Sequence, residues 1–105
     1  KEMRKTELFA QILKTVANET ELTSEQILSC CRTAETVDAR YILVHLLRRE
    51  GMYISEIACM MNFSRRGVEK MLSQFEDRLS QSGHIFKVTF ERIANKVRIA
   101  VESSR

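Results

Sequence analysis

Residues 54–72 read ISEIACMMNFSRRGVEKML, and their types fall where two helices joined by a sharp turn would need them. Ser55 is a candidate N-cap for the first helix, and Ile54 and Cys59 are spaced to pack together across that cap. Asn62 lies at the turn, because asparagine tolerates the left-handed backbone conformation in which many helices end. The pattern predicts a helix-turn-helix.

The second helix of this pattern opens at Ser64, another candidate N-cap, and we expect it to extend to about Gln81. Val68, Met71 and Leu72 repeat at the spacing of a buried helix face. The charged side chains left to point outward are Arg65, Arg66, Glu69 and Lys70. A helix that is basic at its exposed start is typical of one that enters the major groove of DNA. An ordinary helical hairpin with a charged face has the same pattern.

Helical periodicity predicts four more helices around this pair. They cover about residues 5–18, 24–31, 36–50 and 84–101. The helix at 36–50 is apolar nearly all round from Tyr41 to Leu47, which predicts that it is the central buried element. Gly51 follows it in the position of a glycine C-cap. We therefore expect one all-α domain of about six helices over residues 1–105.

The final segment fits two secondary structures. Phe86, Val88 and Phe90 alternate with polar residues, as the side chains of a half-buried strand do. Over a longer window, Phe86, Phe90, Ile93 and Val97 recur every three or four residues. This longer pattern favours a helix.

Composition limits the kind of protein. With 105 residues, of which 44% are hydrophobic and 30% charged, the chain is expected to be globular. It lacks a run of about 18 apolar residues and the apolar stretch of a signal peptide, so we expect no membrane partner and a cytoplasmic location. The net charge is +3, and residues 40–70 alone hold six basic against three acidic side chains, as a surface for phosphates would.

Residues that commonly carry catalysis or bind metals are sparse. Cys30, Cys31 and Cys59 lack the ligand spacing of a zinc site, so we expect no metal and interpret the cysteines as small buried side chains. His45 lies within an apolar run and is interpreted as a hydrogen-bonded histidine at the edge of the core. No glycine-rich phosphate loop and no nucleophile-and-base arrangement occurs. We expect no enzyme activity, cofactor or small-molecule substrate.

A longer run of sequence carries a family resemblance. Residues 37–50 read VDARYILVHLLRRE, and residues 55–58 read SEIA. This pattern resembles the C-terminal, duplex-binding domain of the bacterial chromosomal replication initiator DnaA, with which the chain looks collinear over about residues 8–99. The resemblance implies an all-helical domain that binds a short asymmetric duplex element at replication origins through a basic loop and a helix-turn-helix.

The resemblance also implies roles for single residues. By position, Arg32 matches a minor-groove arginine, Arg40 matches a phosphate-contacting arginine at the start of the central helix, and Ser55 begins the helix whose amino end meets phosphate. The base-reading run differs, because the family's Asp-His-Thr-Thr-Val is replaced by SRRGV at residues 64–68. The loop before the central helix is thin in basic residues, and no nucleotide-binding motif is present. We therefore expect duplex binding without recognition of the family's own origin element.

Residue chemistry suggests how the second helix would contact DNA. Arg65 or Arg66 can form a fork to guanine, and Glu69 can accept a hydrogen bond from a cytosine amino group. Alternatively, both arginines contact only phosphates and Glu69 pairs with Arg65. The remaining expected phosphate contacts are Arg48, Arg49 and Lys70. These residues favour binding of duplex DNA at particular sequences, in a replication-related, regulatory or mobile-element role.

Two other functions fit parts of the sequence. A transcription-regulator module of the response-regulator or sigma-factor type has a similar helix-turn-helix over residues 54–79, but it lacks a central helix that matches residues 37–40. A protein-interaction domain that kept the fold and lost DNA affinity would account for the thin basic loop. Gly67 also has two explanations, since it marks either a close approach of the backbone to DNA or another helix, or simple tolerance of a poor helix former.

Overall fold

The computed structural model describes residues 4–29, 33–81 and 83–103, and over these ranges the chain is all-helical with no strand. Its elements are α1 (Lys5–Thr20), α2 (Ser24–Leu28), α3 (Ala34–Arg49), α4 (Ile54–Met61), α5 (Arg65–Gln81) and α6 (Gly83–Ser103). The predicted all-α architecture of about six helices is confirmed. The helix prediction for the final segment is also confirmed, since α6 buries Phe86, Ile93, Val97 and Val101 along one face.

Helix α3 is the centre of the fold, as its apolar sequence predicts. It packs against each of the other five helices. Ile42, Leu43, Val44 and Leu47 on this helix are fully buried and belong to one continuous core. The helix begins two residues before the predicted start, because Thr33 is the N-cap and its hydroxyl accepts the Thr36 N–H.

The turn after α3 confirms the predicted glycine cap. Gly51 has a left-handed φ of 99°. Its N–H donates to the carbonyl of Arg48 at 3.1 Å, and the Met52 N–H donates to the carbonyl of Leu47 at 3.2 Å. These two bonds form the paired pattern that satisfies the last carbonyls of a helix and turns the chain away.

Asn62 ends α4 as predicted, with a left-handed φ of 59°. The Phe63 N–H donates to the carbonyl of Ala58 at 2.9 Å, and the Asn62 N–H donates to that of Cys59 at 3.3 Å. This is the same paired pattern that ends α3. Only residues 62–64 separate α4 from α5, and the two helices pack against each other.

The predicted start of α4 is wrong by two residues. Tyr53 occupies the N-cap position, and its N–H donates to Glu56 Oε1 at 2.9 Å, while Ser55 lies inside the first turn. The buried residues that flank the start are Met52 and Ile57, whereas the proposed packing partner Cys59 is exposed. The pattern that identified Ser55 as a cap did not include the glutamate that holds the earlier backbone N–H.

The first two helices differ from prediction at their ends. Helix α1 continues to Thr20 and ends where Glu21 adopts a left-handed φ of 58°. Helix α2 has the predicted capping box between Thr23 and Gln26, but it ends at Leu28 rather than at about residue 31. Cys30 and Cys31 lie outside the described residues. The expectation of a buried cysteine is wrong for Cys59, which is exposed.

His45 lies at the junction of α3, α5 and α6, at the core edge where the sequence predicts it. Its imidazole stacks on the Phe75 ring with centroids 4.0 Å apart and meets the Phe90 ring edge-on at 5.3 Å. Among the described residues it packs on these rings without the predicted hydrogen bond. Burial lowers the pKa of the His45 imidazole, against a smaller opposing effect of Glu76.

Candidate nucleic-acid interface

The start of α5 is held by a serine cap, as predicted. Ser64 Oγ accepts the Gly67 N–H at 3.0 Å, and the Ser64 carbonyl accepts the Val68 N–H at 3.1 Å. Val68 is fully buried and holds this first turn on the core. The cap satisfies one of the free N–H groups at the helix start, so the direction of the first turn of α5 is set locally.

Four charged side chains of this turn and the next are exposed. They are Arg65, Arg66, Glu69 and Lys70. None of them forms an ion pair with any residue in the described ranges, so the alternative pairing of Glu69 with Arg65 is not formed. Three unpaired cations and one carboxylate therefore face solvent together at one end of α5.

The placement of two of these cations opposes the helix dipole. Arg65 and Arg66 occupy the first turn of α5, which contains no acidic residue. The N-terminus of a helix carries partial positive charge, so a cation there is disfavoured by about 0.3–1 kcal/mol at an exposed site. Sequences break such local rules most often where a function requires it. The partial positive charge at the start of α5 therefore repels Arg65 and Arg66, and a bound anion would relieve this repulsion.

Four cations elsewhere in the described ranges, Lys5, Arg78, Arg92 and Lys96, pair with a carboxylate of another helix. Lys5 Nζ lies 2.5 Å from Glu56 Oε2, and Lys96 Nζ lies 2.6 Å from Glu19 Oε2. Arg78 also pairs with a carboxylate of α3, at 2.6 Å. Arg65, Arg66 and Lys70 have no such partner among the described residues, and they lie within six consecutive positions at the start of α5.

Arg48 and Arg49 are exposed in the last turn of α3. Cations are favoured there, because the C-terminal end of a helix carries partial negative charge. Arg48 Nη1 also donates to the carbonyl of Met52 at 3.2 Å, which braces the turn into α4. Arg48 therefore has a structural role beside its predicted one, whereas Arg49 makes no ion pair with a described residue.

The expectation that Arg40 is exposed for a phosphate is wrong. Only 8% of Arg40 is exposed. Its Nε donates to the carbonyl of Ile27 at 2.6 Å, and its Nη2 donates to the carbonyl of Ser29 at 2.5 Å. The guanidinium also lies 5.8 Å from the ring centre of Phe63. Arg40 thus anchors the end of the short helix α2 to α3 through two backbone carbonyls.

Ser55 is exposed near the start of α4, beside a cluster that the sequence pattern did not reveal. Glu56 accepts hydrogen bonds from Lys5 Nζ and from the Tyr53 N–H, and Lys5 Nζ lies 5.0 Å from the centre of the Tyr53 ring. These hydrogen bonds, first that from Lys5, lower the pKa of the Glu56 carboxyl. No sequence signal could reveal the contact, because Lys5 and Glu56 are 51 positions apart. Arg32, which the resemblance matches to a minor-groove arginine, lies outside the described ranges.

A groove of about 470 Å³ runs beside the start of α5. We call it the α3–α5 groove, and its lining is mainly apolar, from Val37, Tyr41, Phe63 and Met71. Gly67 forms part of its wall on the α5 side. The groove therefore flanks the exposed cations of α5 on the side that faces α3.

Comparison with protein-family models, curated proteins and solved structures gave no significant match to the chain. No helix in the described ranges is both long and apolar enough to span a bilayer. Among the described residues, no group of three histidine, cysteine or acidic side chains is arranged to hold a metal ion.

Proposed function

We propose that the chain binds duplex DNA, with α4 and α5 acting as a helix-turn-helix and the start of α5 entering the major groove. The observation that carries the proposal is the set of exposed, unpaired cations Arg65, Arg66 and Lys70 on the first two turns of a capped helix. Phosphate and guanine both present acceptors to such a surface. Bound DNA would offset the unfavourable placement of two arginines at a helix N-terminus.

Within this proposal the residues divide into readers and anchors. Arg66 and Glu69 are exposed one turn apart, so the first can fork to guanine while the second accepts a hydrogen bond from a cytosine amino group. Each such contact discriminates between bases by about 1–3 kcal/mol. Lys70 and Arg49 hold phosphates, which set the position of α5 without reading sequence. Arg40 has no part in the proposed surface, because its guanidinium is buried and donates to the carbonyls of Ile27 and Ser29 at the end of α2.

The resemblance to the duplex-binding domain of DnaA supports the same proposal for the whole chain as one such domain. Ser64, Arg65 and Arg66 stand where that family carries its base-reading Asp-His-Thr run, so we infer that the scaffold serves a different DNA sequence. A replication-related, regulatory or mobile-element role is compatible with such a change. The protein would then act in the compartment that holds the DNA, which in a bacterial cell is the cytoplasm.

The experiment that tests the proposal is selection of bound fragments from random duplex DNA, followed by titration of the selected site at several salt concentrations. With about four or five phosphate contacts, log Kd against log salt is expected to have a slope of magnitude about 4. The double variant R65A/R66A is expected to lose most of the affinity. K14A/K87A is the matched control, because it also removes two charges, and Lys14 of α1 and Lys87 of α6 are exposed cations without an ion pair to a described residue.

Two results would contradict the proposal. One is the absence of duplex binding at low salt, which would favour the protein-interaction alternative. The other is an equal loss of affinity in R65A/R66A and in the K14A/K87A control, which would mean that binding follows net charge rather than the α5 surface.

A further inference from the structure

Gly67 lacks the usual reasons for a glycine inside a helix. Gly51 and Gly83 adopt left-handed φ angles of 99° and 81°, where a side chain would be strained. Gly67 is the third residue of α5 and has no such φ. Glycine is a poorer helix former than alanine, because it loses more backbone conformational freedom on folding. The backbone conformation therefore favours replacing this glycine.

Close packing inside the protein does not require this glycine either. Apart from its chain neighbours and its own helix backbone, a Cβ placed on Gly67 would have one described atom within 4 Å, namely Ser64 Oγ at 3.1 Å. Ser64 is exposed, but its Oγ accepts the Gly67 N–H at 3.0 Å, so a Cβ would press on the helix cap unless that hydroxyl shifts by a few tenths of an ångström. The described helices leave open space beside Gly67. Apart from this cap contact, no described atom excludes a side chain at Gly67, so any further requirement for glycine would come from a bound partner.

The surroundings of Gly67 indicate what that outside group is. Gly67 lies between the exposed cations Arg66 and Lys70 along α5, and it forms part of the wall of the α3–α5 groove. The flank of α5 at Gly67 is therefore a mainly apolar depression, and Arg66 and Lys70 line a separate hollow on the neighbouring face of the same helix. A sugar–phosphate backbone is a ligand of matching charge that approaches a helix most closely where no side chain intervenes.

We propose that Gly67 is the point of closest approach between α5 and duplex DNA, where the sugar–phosphate backbone of one strand lies against the helix main chain. This inference rests on the proposed function, and it names a residue that decides how closely α5 can approach the DNA. A Cβ at this position acts as a wedge that lifts α5 and withdraws Arg66 and Lys70 from their contacts. Gly67→Ala then weakens DNA binding without weakening the fold.

The test uses four proteins: wild type, S64A, G67A and S64A/G67A. Melting temperature reports on the helix cap, and Kd for the selected duplex reports on the interface. The S64A background removes the one atom that a new Cβ would crowd. In that background G67A is expected to raise Tm by about 4–8 °C through higher helix propensity. In both backgrounds G67A is expected to weaken duplex binding about tenfold relative to the glycine parent.

The measured Kd and Tm values decide whether DNA approaches α5 at Gly67. A tenfold loss of affinity with unchanged or raised Tm supports the close approach at Gly67. A G67A protein that binds duplex within about twofold of its glycine parent overturns it, while binding by wild type leaves the proposed function standing. Absence of duplex binding by wild type overturns the proposed function, and this inference with it.

Discussion

Replacing Arg40 by methionine removes a buried cation while keeping a side chain of similar length in the core. In the native protein this guanidinium donates hydrogen bonds to the carbonyls of Ile27 and Ser29, at 2.6 and 2.5 Å. Methionine offers no donor. Arg40→Met would leave both carbonyls without this partner and would weaken the attachment of α2, a helix of only five residues, to α3.

The expected loss of stability follows from those two bonds. A hydrogen bond to a charged group contributes about 1.5–3 kcal/mol, so two bonds bring about 3–6 kcal/mol. Relief of the desolvation of a buried guanidinium offsets part of this loss. We expect Arg40→Met to lower the free energy of unfolding by about 3 kcal/mol, which corresponds to a decrease in Tm of about 12–24 °C for a domain of this size.

Urea unfolding followed by circular dichroism measures the effect, and hydrogen exchange at Ile27 and Leu28 reports whether α2 is released locally. Arg49→Met is the matched control. It removes an exposed arginine of the same helix and is expected to change stability by no more than about 0.5 kcal/mol. If Arg40→Met unfolds at the same urea concentration as this control and its α2 amides stay equally protected, the anchoring role of Arg40 is refuted.

Three further predictions concern DNA and pH. Arg66→Ala is expected to cost about 1–3 kcal/mol on the selected site and much less on random duplex; equal losses would make Arg66 a phosphate contact. The origin element of the DnaA family is expected to compete no better than scrambled duplex of equal length, and a tenfold preference for it would show that the replaced reader still recognises that element. Because burial lowers the pKa of His45, the unfolded chain takes up a proton more readily than the folded one. Stability is therefore expected to fall as pH decreases from about 6.5 towards the folded pKa, and His45→Gln, compared by urea unfolding across that range, should lose less than wild type.

Local sequence rules located the helices well because the interactions that start and stop a helix join residues close together in the chain. The left-handed Asn62, the glycine cap at Gly51 and the serine cap at Ser64 were each predictable from residue type and position. The same rules failed at Ser55, where a competing glutamate holds a backbone N–H two residues earlier. The functional meaning of the α4–α5 pair stays a prediction, because DNA recognition depends on a partner that sequence periodicity does not describe.

The partners of charged side chains could not be predicted from the sequence, whereas the helices could. By itself it determined that the chain is helical, that α3 is central and that the start of α5 is basic, since helical periodicity and capping act over a few residues. Tertiary structure alone decided that Arg40 is buried and that Lys5 meets Glu56, while Arg65, Arg66 and Lys70 at the start of α5 form no ion pair with a described residue. The physical reason is distance along the chain: the partners of Arg40 lie 11 and 13 positions away and that of Lys5 lies 51 away, so only the packing of helices brings them together.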